Sequence, residues 1–213
     1  MFEDRRDAGR ALAAMLAAYV DVPGVLVLAL PRGGVPVGYE VARVLHAPLD
    51  LFVVRKLGTP GQEELAFGAI ASGGVRILNS QVVNAAGVAL DEIERITRRE
   101  WGELARRERQ YRGERPFPEI EGRVVILVDD GLATGSTMRA AAAALRQRNP
   151  ARLLIAVPVA APETCHSFRA EGIEVVCALT PEGFCAVGQW YRSFPQTSDA
   201  EVHRLLQQAG EVL

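Results

Sequence analysis

The sequence predicts an α/β protein built on a mostly parallel, twisted sheet flanked by helices. Short, continuously apolar segments such as GVLVLAL (residues 24–30) are typical of strands buried on both faces, as in a parallel sheet. Between them lie segments whose apolar residues have helical spacing. Because strands and helices alternate along the chain, we expect βαβ units with right-handed crossovers. Glycine and proline mark most of the connections.

The first half of the chain contains three predicted strands and three predicted helices. The patterns predict helices over 5–19, 35–46 and 88–112, and strands over 24–30, 49–56 and 75–79. Residues 57–74 are polar and rich in turn formers, so we expect a long loop there that acts as a mobile lid. In the long charged helix 88–112, the residues Ile93, Ile96, Trp101 and Leu104 are expected to pack inward. Its charged face then lies in solvent or forms a contact between subunits.

The second half continues the same alternation. It contains predicted strands over 123–130, 152–161 and 173–179, and predicted helices over 138–148 and 162–172. A length of 213 residues is that of one domain or one domain with a small appendage. We therefore expect a single domain over 1–213, with its core at about 24–180.

Composition excludes several classes of function. The net charge is −2 and the pI is about 6.0, which gives no general attraction to nucleic acid or to an anionic membrane. The three cysteines lack metal-binding spacing and are expected to be reduced. Acids and arginines interrupt the apolar positions of the first 21 residues, which argues against a signal peptide or a membrane span. We expect a cytoplasmic protein with no nucleic-acid or membrane partner.

The strongest motif is VVILVDDGLATGST, residues 124–137. A buried strand ends in Asp129 and Asp130, and a loop of small and hydroxyl residues then opens into a helix. Successive N–H groups at a helix N-terminus bind phosphate. Since two carboxylates repel a phosphate, they are expected to accept hydrogen bonds from a sugar diol or to bind a cation. A Walker A loop would need a longer spacing and a lysine, both absent here.

This motif resembles the phosphoribosyl-pyrophosphate-binding motif of the type I phosphoribosyltransferases. The resemblance implies that Asp129 and Asp130 hold the ribose hydroxyls. It also implies that the following loop binds the 5′-phosphate. The positions that match this phosphate loop are Ala133, Thr134, Gly135, Ser136 and Thr137.

Two upstream segments extend the resemblance. LALPRGGVPVGYEVA is similar to the family's first conserved loop, in which Arg32, Gly33 and Gly34 would contact pyrophosphate. VVRKLGTPGQEE resembles the start of the mobile loop in adenine-type members, where Arg55 and Lys56 would bind the same group. Lys56 is the only lysine in the chain, beside 23 arginines among 24 basic residues. Without the family match, each segment is equally compatible with an ordinary turn or with solvated charges.

The resemblance implies a transfer of 5-phosphoribose from phosphoribosyl pyrophosphate to a nitrogenous base, with release of pyrophosphate. Arg32, Arg55 and Lys56 would be the catalytic residues. Mg²⁺ would enter with the donor substrate, with Asp129 and Asp130 as the only candidate protein ligands. Hypoxanthine-type relatives carry an acid where this chain has Ala133, which argues against a 6-oxopurine acceptor. We expect a homodimer that acts on small molecules.

Residues 180–213 are expected to form a small hood over the acceptor. Phe184, Trp190 and Tyr191 are the candidates for stacking on a base. The alternative is that these rings merely cover one end of the sheet. Two other functions stay open: a non-catalytic regulator that binds phosphoribosyl pyrophosphate or a nucleotide, and a hydrolase or phosphorylase acting on a ribosyl phosphate.

Overall fold

Eight strands divide between two sheets in the computed structural model, which describes residues 1–211. The strands are β1 (Val25–Ala29), β2 (Leu49–Leu51), β3 (Val54–Thr59), β4 (Gln62–Ala71), β5 (Val75–Leu78), β6 (Val124–Val128), β7 (Arg152–Val159) and β8 (Glu174–Leu179). The main sheet has the order β2–β1–β6–β7–β8, and every pairing in it is parallel. The predicted fold class is confirmed.

The second sheet is antiparallel, with the order β3–β4–β5. It replaces the long loop expected over 57–74, so that prediction is wrong. Gly61, Gly73 and Gly74 have φ values of 76–81° and form the tight turns between its strands, rather than hinges. Phe67 and Ile70 of β4 are fully buried, so packing of its apolar face stabilises a strand in a segment whose polar start suggested a loop.

Seven α-helices accompany the sheets. They are α1 (Arg5–Met15), α2 (Gly34–Leu45), α3 (Ser80–Ala86), α4 (Leu90–Arg112), α5 (Ser136–Arg146), α6 (Pro162–Ala170) and α7 (Asp199–Glu211). Short 3₁₀ helices cover Ala17–Tyr19 and Val187–Trp190. Helices α3 and α7 were not predicted. In α4, Ile93, Ile96 and Leu104 are buried and Trp101 packs against the same core, as expected.

The main sheet is buried on both faces. Alternate residues of β1 enter opposite layers: Val27 packs with α1, α2 and α7, and Leu28 packs with α5 and α6. This double burial explains why the strands appear in the sequence as unbroken apolar runs. No helix among the described residues is long and apolar enough to cross a membrane.

The order of the strands creates a crevice between β1 and β6. From β1 the chain crosses to β2 on one side, and from β6 it crosses to β7 on the other. The connections after the carboxyl ends of β1 and β6 therefore diverge, which leaves the space where open α/β sheets bind ligands. The motifs after residues 30 and 128 lie side by side at this crevice.

Residues 180–211 contribute two separate structures. The aromatic segment 184–194 packs against Phe2 and the end of β7, whereas α7 packs against α2 and α4. Residues 212–213 of the predicted hood lie outside the described residues.

Candidate functional site

Two adjacent carboxylates lie at the carboxyl end of β6. The backbone N–H of Asp130 donates to Oδ1 of Asp129 at 2.9 Å. Burial, and then the neighbouring Asp130 carboxylate, raises the pKa of Asp129 well above its ordinary value. Burial also raises the pKa of Asp130, while a hydrogen bond from Arg5 acts in the opposite direction. A pair of carboxylates under this desolvation suits hydroxyl donors or a cation.

The glycine loop after β1 packs directly against this pair. A Cβ at Gly33 would lie 2.0 Å from Oδ2 of Asp130, and a Cβ at Gly34 would lie 2.8 Å from the carbonyl oxygen of Val128. Gly34 therefore approaches the backbone at the end of β6 too closely for a side chain, whereas Gly33 lies against the carboxylate of Asp130. The peptide bond between Pro31 and Arg32 is cis. The structure thus places the predicted pyrophosphate loop in contact with the predicted ribose-binding acids.

The predicted phosphate loop ends at an uncapped helix. Gly135 is the N-cap of α5 in the left-handed conformation (φ 71°), and no side chain within residues 1–211 caps the first N–H groups of the helix. Thr134, Ser136 and Thr137 are exposed. This leaves backbone and hydroxyl donors directed outward at the positive end of a helix, the arrangement that binds phosphate.

Neighbouring elements hold this loop in one conformation. The N–H of Leu132 donates to the carbonyl oxygen of Val159, and Thr164 Oγ1 donates to the carbonyl oxygen of Ala133 at 2.5 Å. A Cβ at Gly135 would lie 2.8 Å from the ring of Phe168 in α6. Since the loop is already ordered by these contacts, phosphate binding would require little further ordering.

The predicted Arg55–Lys56 pair is divided between two faces of β3. Lys56 lines a cavity of about 450 Å³ together with Thr134, Ser136 and Arg139. Arg55 points the other way and donates to Oε2 of Glu100 in α4, at 2.8 Å from Nε and 2.5 Å from Nη2. Successive side chains of a strand alternate between faces, so one backbone conformation cannot direct both cations into the cavity.

Arg32 is also engaged by a carboxylate. Its Nη1 lies 3.5 Å from Oδ1 of Asp199, the first residue of α7. Tyr111 Oη donates to the same oxygen at 2.6 Å, and Gln110 Nε2 donates to Oδ2 at 3.0 Å. These bonds lower the pKa of Asp199, with the Tyr111 hydroxyl as the largest cause. Burial and Asp199 raise the pKa of Tyr111 to about 12.

The aromatic segment contacts the acid pair through Tyr191, whose ring is not available to bind a ligand. The ring of Tyr191 packs against those of Phe2 and Phe194, at centroid distances of 5.6 and 4.8 Å. Its hydroxyl donates to the carbonyl oxygen of Asp130 at 2.5 Å. Tyr191 is only 5% exposed, so its ring is not available to stack on a base and that prediction is wrong. Phe184 and Trp190 are partly exposed, and their role stays a prediction.

Sequence reasoning missed four residues that contact the candidate site. Arg5 binds Asp130, Glu100 binds Arg55, Asp199 binds Arg32, and Thr164 anchors the phosphate loop. Each lies at least 31 positions from its partner, and none belongs to a recognisable motif. Only the fold brings them together.

Asp129 and Asp130 are the carboxylates at this site that could bind Mg²⁺. Residues 1–211 contain no group of three or more His, Cys, Asp or Glu side chains arranged to hold a metal. Mg²⁺ keeps several waters and is commonly held by one or two carboxylates together with substrate phosphates. Two acids beside a phosphate loop fit a cation that arrives with its substrate, and do not form an all-protein cage.

The crevice, the acid pair and the predicted phosphate loop together have the arrangement expected for a nucleotide or sugar-phosphate site in an α/β protein. The chain matches the family model of the phosphoribosyl transferase domain over residues 4–167. It therefore belongs to the phosphoribosyltransferase family, which confirms the resemblance seen in its motifs.

Two comparisons extend this match over nearly the whole chain. Curated proteins from two strains of Mycobacterium tuberculosis, provisionally named phosphoribosyl transferases, are 47% identical over 209 residues. The match covers 98% of this chain but 47% of each relative, so the chain spans about half their length. The crystal structure of TT1426 from Thermus thermophilus is similar with a TM-score of 0.87, 41% identity and 98% coverage of both chains.

Proposed function

We propose that this protein transfers 5-phosphoribose from phosphoribosyl pyrophosphate to a nitrogenous acceptor and releases pyrophosphate. One observation carries the proposal: the acid pair after β6 lies between an uncapped helix N-terminus and a glycine loop that touches it. A phosphorylated ribose presents a diol that suits the carboxylates and a phosphate that suits the helix N-terminus. The acceptor is not specified by these contacts.

In the proposed reaction, the acceptor nitrogen attacks C1 of the ribose as the bond to the pyrophosphate oxygen breaks. Asp129 and Asp130 accept hydrogen bonds from the ribose hydroxyls, and the N-terminus of α5 binds the 5′-phosphate. Lys56 and Arg32 stabilise the negative charge that develops on the leaving pyrophosphate. Bound Mg²⁺ would neutralise pyrophosphate charge, and Asp129 and Asp130 are the residues that would hold it.

We further propose that the protein is cytoplasmic and forms a homodimer. Its partners are small molecules, and it has no nucleic-acid or membrane partner. The slightly acidic composition supports the exclusion of nucleic acid. The single domain over 1–213 is part of the same proposal.

The first experiment is a calorimetric titration of Mg²⁺–phosphoribosyl pyrophosphate into the wild type and into Asp129→Asn/Asp130→Asn. Binding that disappears in the double variant supports the site. The matched control is Asp91→Asn/Glu119→Gln, which removes two exposed carboxylates that belong to none of the predicted binding motifs. Equal affinity in the wild type and the acid-pair variant would refute the proposal.

A specific observation favours a second candidate, a regulator that binds without catalysis. Arg32 and Arg55, both predicted to contact pyrophosphate, are paired with the carboxylates of Asp199 and Glu100. A site that binds only a ribose phosphate has no need of these cations. Product analysis separates the candidates: an enzyme yields nucleotide and pyrophosphate from a panel of bases, a hydrolase yields ribose phosphate and pyrophosphate with water, and a regulator yields neither.

A further inference from the structure

We propose that Arg5 is a positioning residue for the ribose site: it anchors one oxygen of Asp130 so that the other faces a ribose hydroxyl. This inference rests on the proposed function. Arg5 lies in the first turn of α1, 125 positions from Asp130 in the chain. No sequence motif includes it.

The guanidinium of Arg5 is held by three groups. Its Nε donates to Oδ2 of Asp130 at 2.8 Å, and Nη1 donates to the carbonyl oxygen of Pro195 at 2.6 Å. The planar group lies over the ring of Phe194, 3.8 Å from the centroid. Only 11% of the side chain is exposed. An arginine restrained in this way offers a rigid support for a carboxylate, which a flexible lysine would not provide.

This anchoring divides the four carboxylate oxygens of the acid pair into two kinds. Oδ2 of Asp130 is bound by Arg5, and Oδ1 of Asp129 accepts the N–H of Asp130. Within residues 1–211, Oδ1 of Asp130 and Oδ2 of Asp129 accept no hydrogen bond. One acceptor therefore remains on each carboxylate. A vicinal diol offers one hydroxyl to each of two such acceptors.

Other contacts limit the position of Asp130. Gly33 allows Oδ2 to lie where a Cβ would clash, at 2.0 Å. The hydroxyl of Tyr191 holds the backbone carbonyl of the same residue. The backbone is thus fixed by Tyr191 and the side-chain rotation by Arg5. Loss of Arg5 should therefore change the orientation of the Asp130 carboxylate, whereas the backbone of the site should stay in place.

The experiment compares ribose 5-phosphate with 2-deoxyribose 5-phosphate and 3-deoxyribose 5-phosphate by calorimetric titration. In the wild type, ribose 5-phosphate should bind more tightly than at least one of the deoxy sugars. In Arg5→Gln this preference should fall by about fivefold, the ratio expected from one weakened hydrogen bond. Affinity for the deoxy sugar that lacks the Asp130 contact should change much less. Arg5→Lys, which keeps the charge, should restore part of the preference.

The control is Arg10→Gln, because Arg10 belongs to the same helix, is exposed and pairs only with Asp7 among the described residues. Its preference should equal that of the wild type. In the background of Asp130→Asn, Arg5→Gln should cause no further loss of preference. If Arg5→Gln does not fold, as judged by circular dichroism, Arg5→Lys takes its place and must itself show a reduced preference.

Three results contradict the inference, and they are distinguishable from one another. If the wild type binds none of the sugar phosphates, the proposed function and the inference both fail. If the wild type prefers ribose 5-phosphate and the Arg5 variants keep the full preference, only the inference fails. If the Arg5 variants weaken all three ligands by one common factor, Arg5 has a purely structural role and the inference also fails.

Discussion

The guanidinium of Arg55 and the carboxylate of Glu100 form an ion pair in which Nε and Nη2 both donate to one oxygen, at 2.8 and 2.5 Å. This pair ties β3 to the long helix α4. Glu100 is 6% exposed and its other oxygen accepts from Arg99, so both carboxylate oxygens are hydrogen-bonded. A cation expected at the pyrophosphate thus serves, in this structure, to attach α4 to the antiparallel sheet.

Glu100→Gln should release Arg55. If Arg55 can reach the donor, affinity for inorganic pyrophosphate rises several-fold in calorimetric titration. We expect the melting temperature to fall by several degrees, since breaking a buried pair costs about 3–5 kcal/mol at full burial and less here, where Arg55 is 27% exposed. Glu94→Gln, which removes an exposed pair with Arg76, is the control. Unchanged pyrophosphate affinity would mean that Arg55 is structural.

Asp199→Asn should free Arg32 in a similar way. The pair is partly exposed, so we expect pyrophosphate affinity to rise by only about two- to fivefold. The pKa of Asp199 is lowered in the folded state, so its contribution to stability is present above the unfolded pKa and is lost as the pH falls through the folded pKa. The difference in melting temperature between wild type and variant should therefore be largest near neutral pH and vanish in strong acid. A constant difference across that range would contradict this account.

Asp129→Asn should stabilise the fold while weakening the site. The folded pKa of Asp129 is raised, so its ionised form costs stability above that pKa, and the cost disappears below the unfolded pKa. The asparagine Oδ1 still accepts from the N–H of Asp130. At pH 8 the melting temperature of Asp129→Asn should therefore lie above that of the wild type. At pH 3 no gain should remain, and Asp91→Asn should show none at either pH.

Gly33→Ala tests the contact between the glycine loop and the acid pair. The added Cβ would meet Oδ2 of Asp130 at 2.0 Å, so the carboxylate or the loop must move. We expect donor affinity to fall by about tenfold or more, as for the loss of a hydrogen bond to a charged group. The control is Gly102→Ala on α4, where no atom lies within 4 Å of the new Cβ and the fold should gain up to about 1 kcal/mol. Equal donor affinity in Gly33→Ala and wild type would show that the contact is dispensable.

Lys56 provides a chemical test, because it is the only side-chain amine in the protein. It is exposed and shares a cavity with the phosphate loop. An amine-reactive acetylating reagent should modify Lys56 readily in the free protein, and Mg²⁺–phosphoribosyl pyrophosphate should slow this reaction at least severalfold. Peptide mass spectrometry measures both rates, with the N-terminal amine as the internal reference. If the donor slows acetylation of Lys56 and of the N-terminal amine to the same extent, the donor does not bind beside Lys56.

Local sequence patterns predicted most strands of the main sheet and the position of the acid pair. Runs such as residues 24–30 and 124–128 are apolar throughout because both faces of each strand are buried, and such a run is visible without any knowledge of its neighbours. The two acids and the glycines are adjacent to these strands in the chain. Strand β4 of the antiparallel sheet escaped prediction because turn glycines and polar residues in 57–74 are also typical of a loop.

By itself, then, the sequence determined the fold class and the alternation of strands and helices along the chain. It also determined which segments carry the acid pair, the glycine loop and the phosphate loop. Only the tertiary structure decided which charges face the site. It paired Arg55 with Glu100 and Arg32 with Asp199, enclosed Tyr191, and brought Arg5 to Asp130. The physical reason is that a strand or a helix start depends on neighbouring residues. An ion pair instead depends on which distant elements the packed core brings within about 3 Å.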